Sequence, residues 1–134
     1  MIRLITVFVG ATLALSGAAV AKPPLRDVKE IYDPLYWAVV AFEISEVCDS
    51  IEPRKLKGVA DGWGLVRKAR KLGYTDDEIK AFIKSDEEKE RMRQRGDAYL
   101  KHKGASLYNP ESVCALGRAE IERNSAIGVY LRAK

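Results

Sequence analysis

The chain of 134 residues has little of what reaction centres are built from. It holds one histidine and two cysteines, and it has no glycine-rich phosphate loop after a strand and no G-x-S-x-G turn. His102 stands between Lys101 and Lys103 with no candidate nucleophile near it, so it reads as a solvent-facing turn residue rather than a general base. A single histidine and two cysteines do not make a zinc site, and without a C-x-x-C pair thiol redox catalysis is disfavoured. The acidic runs Asp76-Asp77-Glu78 and Asp86-Glu87-Glu88 lack the glycine-bearing calcium loop, whereas acidic residues are what the first turn of a helix favours. We therefore expect no enzyme, no catalytic residue, no metal and no cofactor.

Long apolar runs are also scarce, and the one at the N-terminus is too short to be a membrane span. Met1-Ile2-Arg3 is a short positive start and Leu4–Leu15 an apolar stretch. Ala19-Val20-Ala21 follows as an A-x-A cleavage pattern. A spanning helix needs about 20 apolar residues, so residues 1–21 read as an export signal cleaved near Ala21, with retention as an anchor the lesser reading. The mature protein is then expected to be periplasmic or secreted, with no transmembrane segment. Removing Arg3 with the signal takes the 23 basic residues to 22 against 19 acidic ones, a charge too mild to argue for nucleic acid. What remains is enough chain for one domain with a modest core, read as a leader over 22–33 and a helical domain over 34–134.

In an oxidising compartment, Cys48 and Cys114 are expected to form a disulfide rather than two separately buried thiols. The bridge would close a loop of 66 residues, from 48 to 114. In the chain-entropy view that closure stabilises by about 4 kcal/mol.

Alternating strand patterns are missing from the mature chain, and helical spacing takes their place. The first helix is expected over 34–48, with Leu35, Ala38, Val39 and Phe42 on one stripe and Tyr36, Val40, Ile44 and Val47 beside it. Pro53 suits the first turn of a second helix carrying Leu56, Val59, Trp63 and Val66 and capped by Gly73. Gly62 and Gly64 weaken that helix. Thr75 with Glu78, and Ser85 with Glu88, fit the capping-box pattern and open a short helix and a longer one ending at Lys101-His102-Lys103. Asn109-Pro110 caps a final helix to about Arg123, leaving Ile127–Leu131 as an apolar tail. With the short helix and its successor acting as one bent limb, the expectation is an all-α bundle of four limbs and five helices, tied by one disulfide.

The chain from Pro23-Pro24-Leu25 onward resembles a family of small exported alphaproteobacterial proteins that forms a domain of unknown function. The likeness rests on the Cys48 segment, Gly73-Tyr74-Thr75-Asp76, Ser85-Asp86-Glu87-Glu88-Lys89, Arg91-Met92-Arg93, Cys114 to Ile121, and Ile127-Gly128. The resemblance implies no activity, ligand or catalytic residue. It implies an association with the respiratory chain, because genes of that family often lie among those for complex I subunits. Gly62-Trp63-Gly64 stands outside the family pattern.

Two functional classes follow. The first is an interaction or assembly-type protein that docks on a protein partner, such as a membrane complex. Its candidate surface is the basic set Arg67, Lys68, Arg70, Lys71, Arg91, Arg93 and Arg95 with the tail residues Ile127, Val129, Tyr130 and Leu131. The plainer reading of the basic set is a solvated helix face, and that of the tail is packing on its own bundle. The alternative class is a small-ligand module with a pocket lined by Trp37, Trp63 and Tyr99, aromatics that a small bundle also needs for its core.

Overall fold

The computed structural model describes residues 21–134, so the expected export signal, apart from Ala21, lies outside the described residues. Five helices carry the fold, as expected: α1 (Lys29–Val47), α2 (Lys55–Lys71), α3 (Asp76–Lys84), α4 (Asp86–His102) and α5 (Pro110–Glu122). Helix α1 is the hub and touches α2, α4 and α5, while α3 sits between α2 and α4. Its buried stripe is Tyr36, Val40 and Ile44, at the i, i+4 spacing of one helix face. The neighbouring stripe expected to share the core does not close. Leu35 and Ala38 are half-buried and Phe42 is 50% exposed.

Helix α1 starts five residues before Pro34, where the expected first helix began. Pro34 removes one backbone donor from the ladder, a loss offset by what the extra turn buries. Ile31 packs with Leu25, Ala69, Tyr74 and Ile79 in a second apolar cluster. Within residues 22–33, read as a leader, Lys29–Asp33 are the first turns of α1, and Leu25, Ile31 and Tyr32 are buried against the domain. The Tyr74 hydroxyl donates to the Pro23 carbonyl at 2.5 Å, and Lys22 Nζ donates to the Gly73 carbonyl at 2.7 Å.

Local capping follows the sequence with two departures, the first being Pro53, expected in the first turn of α2 but lying in extended chain before that helix starts at Lys55 with no side-chain cap. Gly73 ends α2 at φ 92°, the left-handed geometry that glycine adopts without strain, and the Tyr74 N–H reaches back to the Ala69 carbonyl. Thr75 and Glu78 form the reciprocal box, with bonds of 3.2 and 2.6 Å. Ser85 accepts from the Glu88 N–H at 3.2 Å, but the Glu88 carboxylate does not return to Ser85 and pairs with Arg26 instead. An opposite charge brought in by the leader outcompetes a backbone N–H for a buried carboxylate.

Cys48 caps the end of α1 and Cys114 lies in the first turns of α5, joined with their Cα atoms 5.2 Å apart. Beside this bridge the structure forms strands that no alternation announced. β1 (Ile51–Pro53) pairs antiparallel with β2 (Leu131–Ala133), Ile51 opposite Ala133 and Pro53 opposite Leu131. Three residues are too few to display a period of two. Helix α5 stops at Glu122, and Asn124 turns the chain at φ 48°. The expected tail then returns to the core. Ile127 is 2% and Leu131 3% exposed, and a short 3-10 turn (Gly128–Tyr130) brings Tyr130 against α2. There its hydroxyl donates to Asp61 at 2.9 Å.

Candidate docking surface

The residues singled out in the sequence do not gather into one surface. Ile127, Val129, Tyr130 and Leu131 are buried or half-buried parts of the core wall, so of the two readings of the tail it is packing on its own bundle, not an exposed docking segment, that the structure has. On α4 the arginines are neutralised locally. Arg91 pairs with Glu87, Arg93 with Glu90 and Asp97, and Arg95 with Asp33 at 3.1 Å. The Arg95 guanidinium also lies 3.9 Å from the centre of the Tyr36 ring, a cation–π contact on the hub helix. On α2, Arg70 pairs with Asp76 at 2.7 Å. Among the described residues, Arg67, Lys68 and Lys71 have no acidic partner and point to solvent.

The three aromatics likewise do not share a pocket. Trp37 packs on Tyr36 and Tyr99 with ring centres 4.6 and 5.8 Å away, which is ordinary core packing. Trp63 stands apart on α2 and is 58% exposed.

Around Trp63 lies the feature that sequence reasoning missed. A trough of about 380 Å³ runs between the start of α1, α2 and α3. Its floor is Leu25, Ile31 and Ile79, its lip is Val59, Trp63 and Ile83, and every lining residue is apolar or glycine. Val59 also lines an adjoining trough of about 320 Å³ that includes Phe42 and Tyr130. Together with Leu56, which is 89% exposed, these side chains form an apolar band across three helices. The signal was present as the i, i+3, i+7 spacing of Leu56, Val59 and Trp63. That spacing marks an apolar helix face without saying whether anything covers it.

The glycines of α2 sharpen the point. A Cβ placed at Gly58 or Gly62 would meet no atom within 4 Å, and one at Gly64 would meet only the end of Arg67 at 3.9 Å. Internal packing therefore does not require glycine at these positions, although each costs roughly 1 kcal/mol relative to alanine inside a helix.

Elsewhere the buried charges are structural. Glu120, 2% exposed, accepts from the Tyr99 hydroxyl at 2.7 Å and pairs with Arg123. Burial works against its ionised form, but hydrogen bonds from Ser125 and Tyr99 and the Arg123 charge outweigh it and hold the carboxyl below its usual range. Burial raises the Tyr130 phenol to about 12, aided by its bond to Asp61. Between α1 and α4, Glu43 faces Asp97, and each keeps one buried oxygen without a hydrogen-bond partner. Burial pushes the Glu43 carboxyl up, with repulsion from Asp97 adding to it. A raised carboxyl contributes stability that is fully present below its ordinary value of 4.5 and lost as pH rises through the folded value. Glu43→Gln is accordingly expected to stabilise at neutral pH by roughly 1 kcal/mol, about one hydrogen bond to the charged Asp97. Thermal melts across pH check this. The gain should shrink as the solution is made acid, and a neutral-pH loss would refute the account.

Among the described residues no group of three or more metal-ligating side chains converges, and no helix is long and apolar enough to cross a membrane. No curated protein and no solved structure matches the chain. A family match does cover residues 23–132, from the first prolines to the second strand, and by it the chain belongs to a family of unknown function, DUF5333.

Proposed function

We propose that this protein is a non-catalytic interaction protein of an exported, disulfide-bearing compartment, and that it docks through the apolar band around Trp63. The observation that carries this reading is the band itself. Phe42, Leu56, Val59, Trp63 and Ile83 are all at least half exposed on one side of a domain that is short of large apolar side chains for its own core. The gene association implied by the family resemblance supports a membrane complex of the respiratory chain as the setting. The N-terminal A-x-A pattern and the disulfide support the periplasm as the place. The alternative of a small-ligand site draws on the trough volume, about 380 Å³, which lies in the range of ligand pockets. Such pockets also carry a few polar groups that orient a ligand, and no polar side chain lines this one.

Trp63→Ala separates docking from folding. Because the side chain is more than half exposed, the variant is expected to melt within about 0.5 kcal/mol of the parent. Its retention on membranes isolated from its own cells should fall several-fold. Unchanged retention would remove the band from the proposal.

A further inference from the structure

The docking reading leaves the partner open, and the charge pattern of α2 narrows it. Counting Arg54 at its start, the helix carries seven basic residues and one acidic residue, Asp61, which is already held by Lys57 and Tyr130. The outward face changes character along its length. Leu56, Val59 and Trp63 come first, then Arg67 and Lys71. The α4 arginines are each neutralised by an acidic neighbour, whereas Lys55, Arg67, Lys68 and Lys71 have none within 4.0 Å among the described residues. An exposed indole beside uncompensated cations on one helix face matches the chemistry of a bilayer interface. There an indole sits at headgroup depth and lysine and arginine reach lipid phosphates. At 17 residues α2 lies on such a surface rather than crossing it.

We infer that the outward face of α2 is a membrane-surface anchor, with Leu56, Val59 and Trp63 entering the interface of a bilayer rich in anionic phospholipid while Arg67 and Lys71 contact its phosphates. This rests on the docking reading and commits it to lipid rather than protein. A protein groove would accept the same apolar band but would not need two unpaired cations beside it. Internal packing does not require glycine at Gly62 or Gly64, which flank Trp63 in sequence.

The test is sedimentation of the protein, in the form recovered from its own cells, with vesicles of phosphatidylglycerol and phosphatidylethanolamine or of phosphatidylcholine alone. The expected result is binding to the anionic vesicles, weak binding to the neutral ones, and weakening as salt is raised. A Trp37→Phe background leaves Trp63 as the sole indole, and its fluorescence should shift to the blue on binding. Trp63→Ala, and separately Arg67→Gln with Lys71→Gln, should each weaken binding about tenfold or more. Equal binding to neutral vesicles, or unchanged binding of either variant, would overturn the proposal. Failure to bind any vesicle while native membranes still retain the protein through Trp63 would also overturn it, with the docking reading intact and the partner a protein. Failure on both would overturn the two together.

Discussion

Cys48→Ser is expected to lose roughly 4 kcal/mol of folding stability, because the bridge closes a loop of 66 residues and restricts the unfolded chain by that much. Against the ~5–15 kcal/mol that a domain of this size holds, the loss is large enough to populate unfolded protein. The location adds to the effect. Cys48 is 1% and Cys114 9% exposed, so the substitution also places a hydroxyl and a free thiol at the edge of the core. Ser50, whose Oγ lies 3.2 Å from the Cys48 sulfur, can satisfy the new hydroxyl, so the entropic part should dominate. Denaturant unfolding of the parent with and without reductant, alongside the variant, measures this. The reduced parent and Cys48→Ser should unfold at similar, much lower midpoints. A variant within about 1 kcal/mol of the oxidised parent would mean that the pole is held by packing alone.

Gly128→Ala is expected to cost on the order of 3 kcal/mol or more, among the largest effects of any single added methyl in this chain. A Cβ at Gly128 would sit 1.9 Å from the Glu120 carbonyl oxygen and 2.4 Å from its carbon. The obstacle is backbone of α5 rather than a side chain that can turn away, so the tail itself has to lift. Lifting it uncovers Ile127 and Leu131, breaks the Tyr130–Asp61 bond and unpairs β2 from β1. Gly104→Ala is the control. It carries the strain of φ +75° but meets nothing within 4 Å, so a cost near 1 kcal/mol is expected there. Hydrogen exchange should show the β2 amides losing protection in Gly128→Ala alone. Protected amides with a normal melting temperature would show that the tail accommodates the methyl and that the close approach is not structural.

Much of the helical outline was legible because its causes are local. Thr75 and Glu78 find each other three residues apart, Gly73 accepts a left-handed turn, and Asn109-Pro110 opens α5 with no help from the rest of the chain. The departures sit where a distant group intervened. Glu88 had the spacing for a second box, but Arg26, 62 residues away, took its carboxylate. The first helix extended back through Pro34 because Ile31 had Ala69, Tyr74 and Ile79 to pack against. The three-residue strands had no periodicity to read and exist because the chain end returns beside the disulfide pole.

By itself, then, the sequence determined the all-α class, most of the caps and the pairing of its two cysteines. Caps act over a few residues, and two thiols can pair in only one way. It also supplied both halves of the candidate surface, the apolar spacing of Leu56, Val59 and Trp63 and the basic run that follows. Only the tertiary structure decided which apolar stripes are covered. Ile127 and Leu131 could have served a partner or the core and fill the core, while Trp63 looked like core and stands at the surface. Burial depends on what the rest of the chain brings opposite a helix face, and helical spacing carries no record of it.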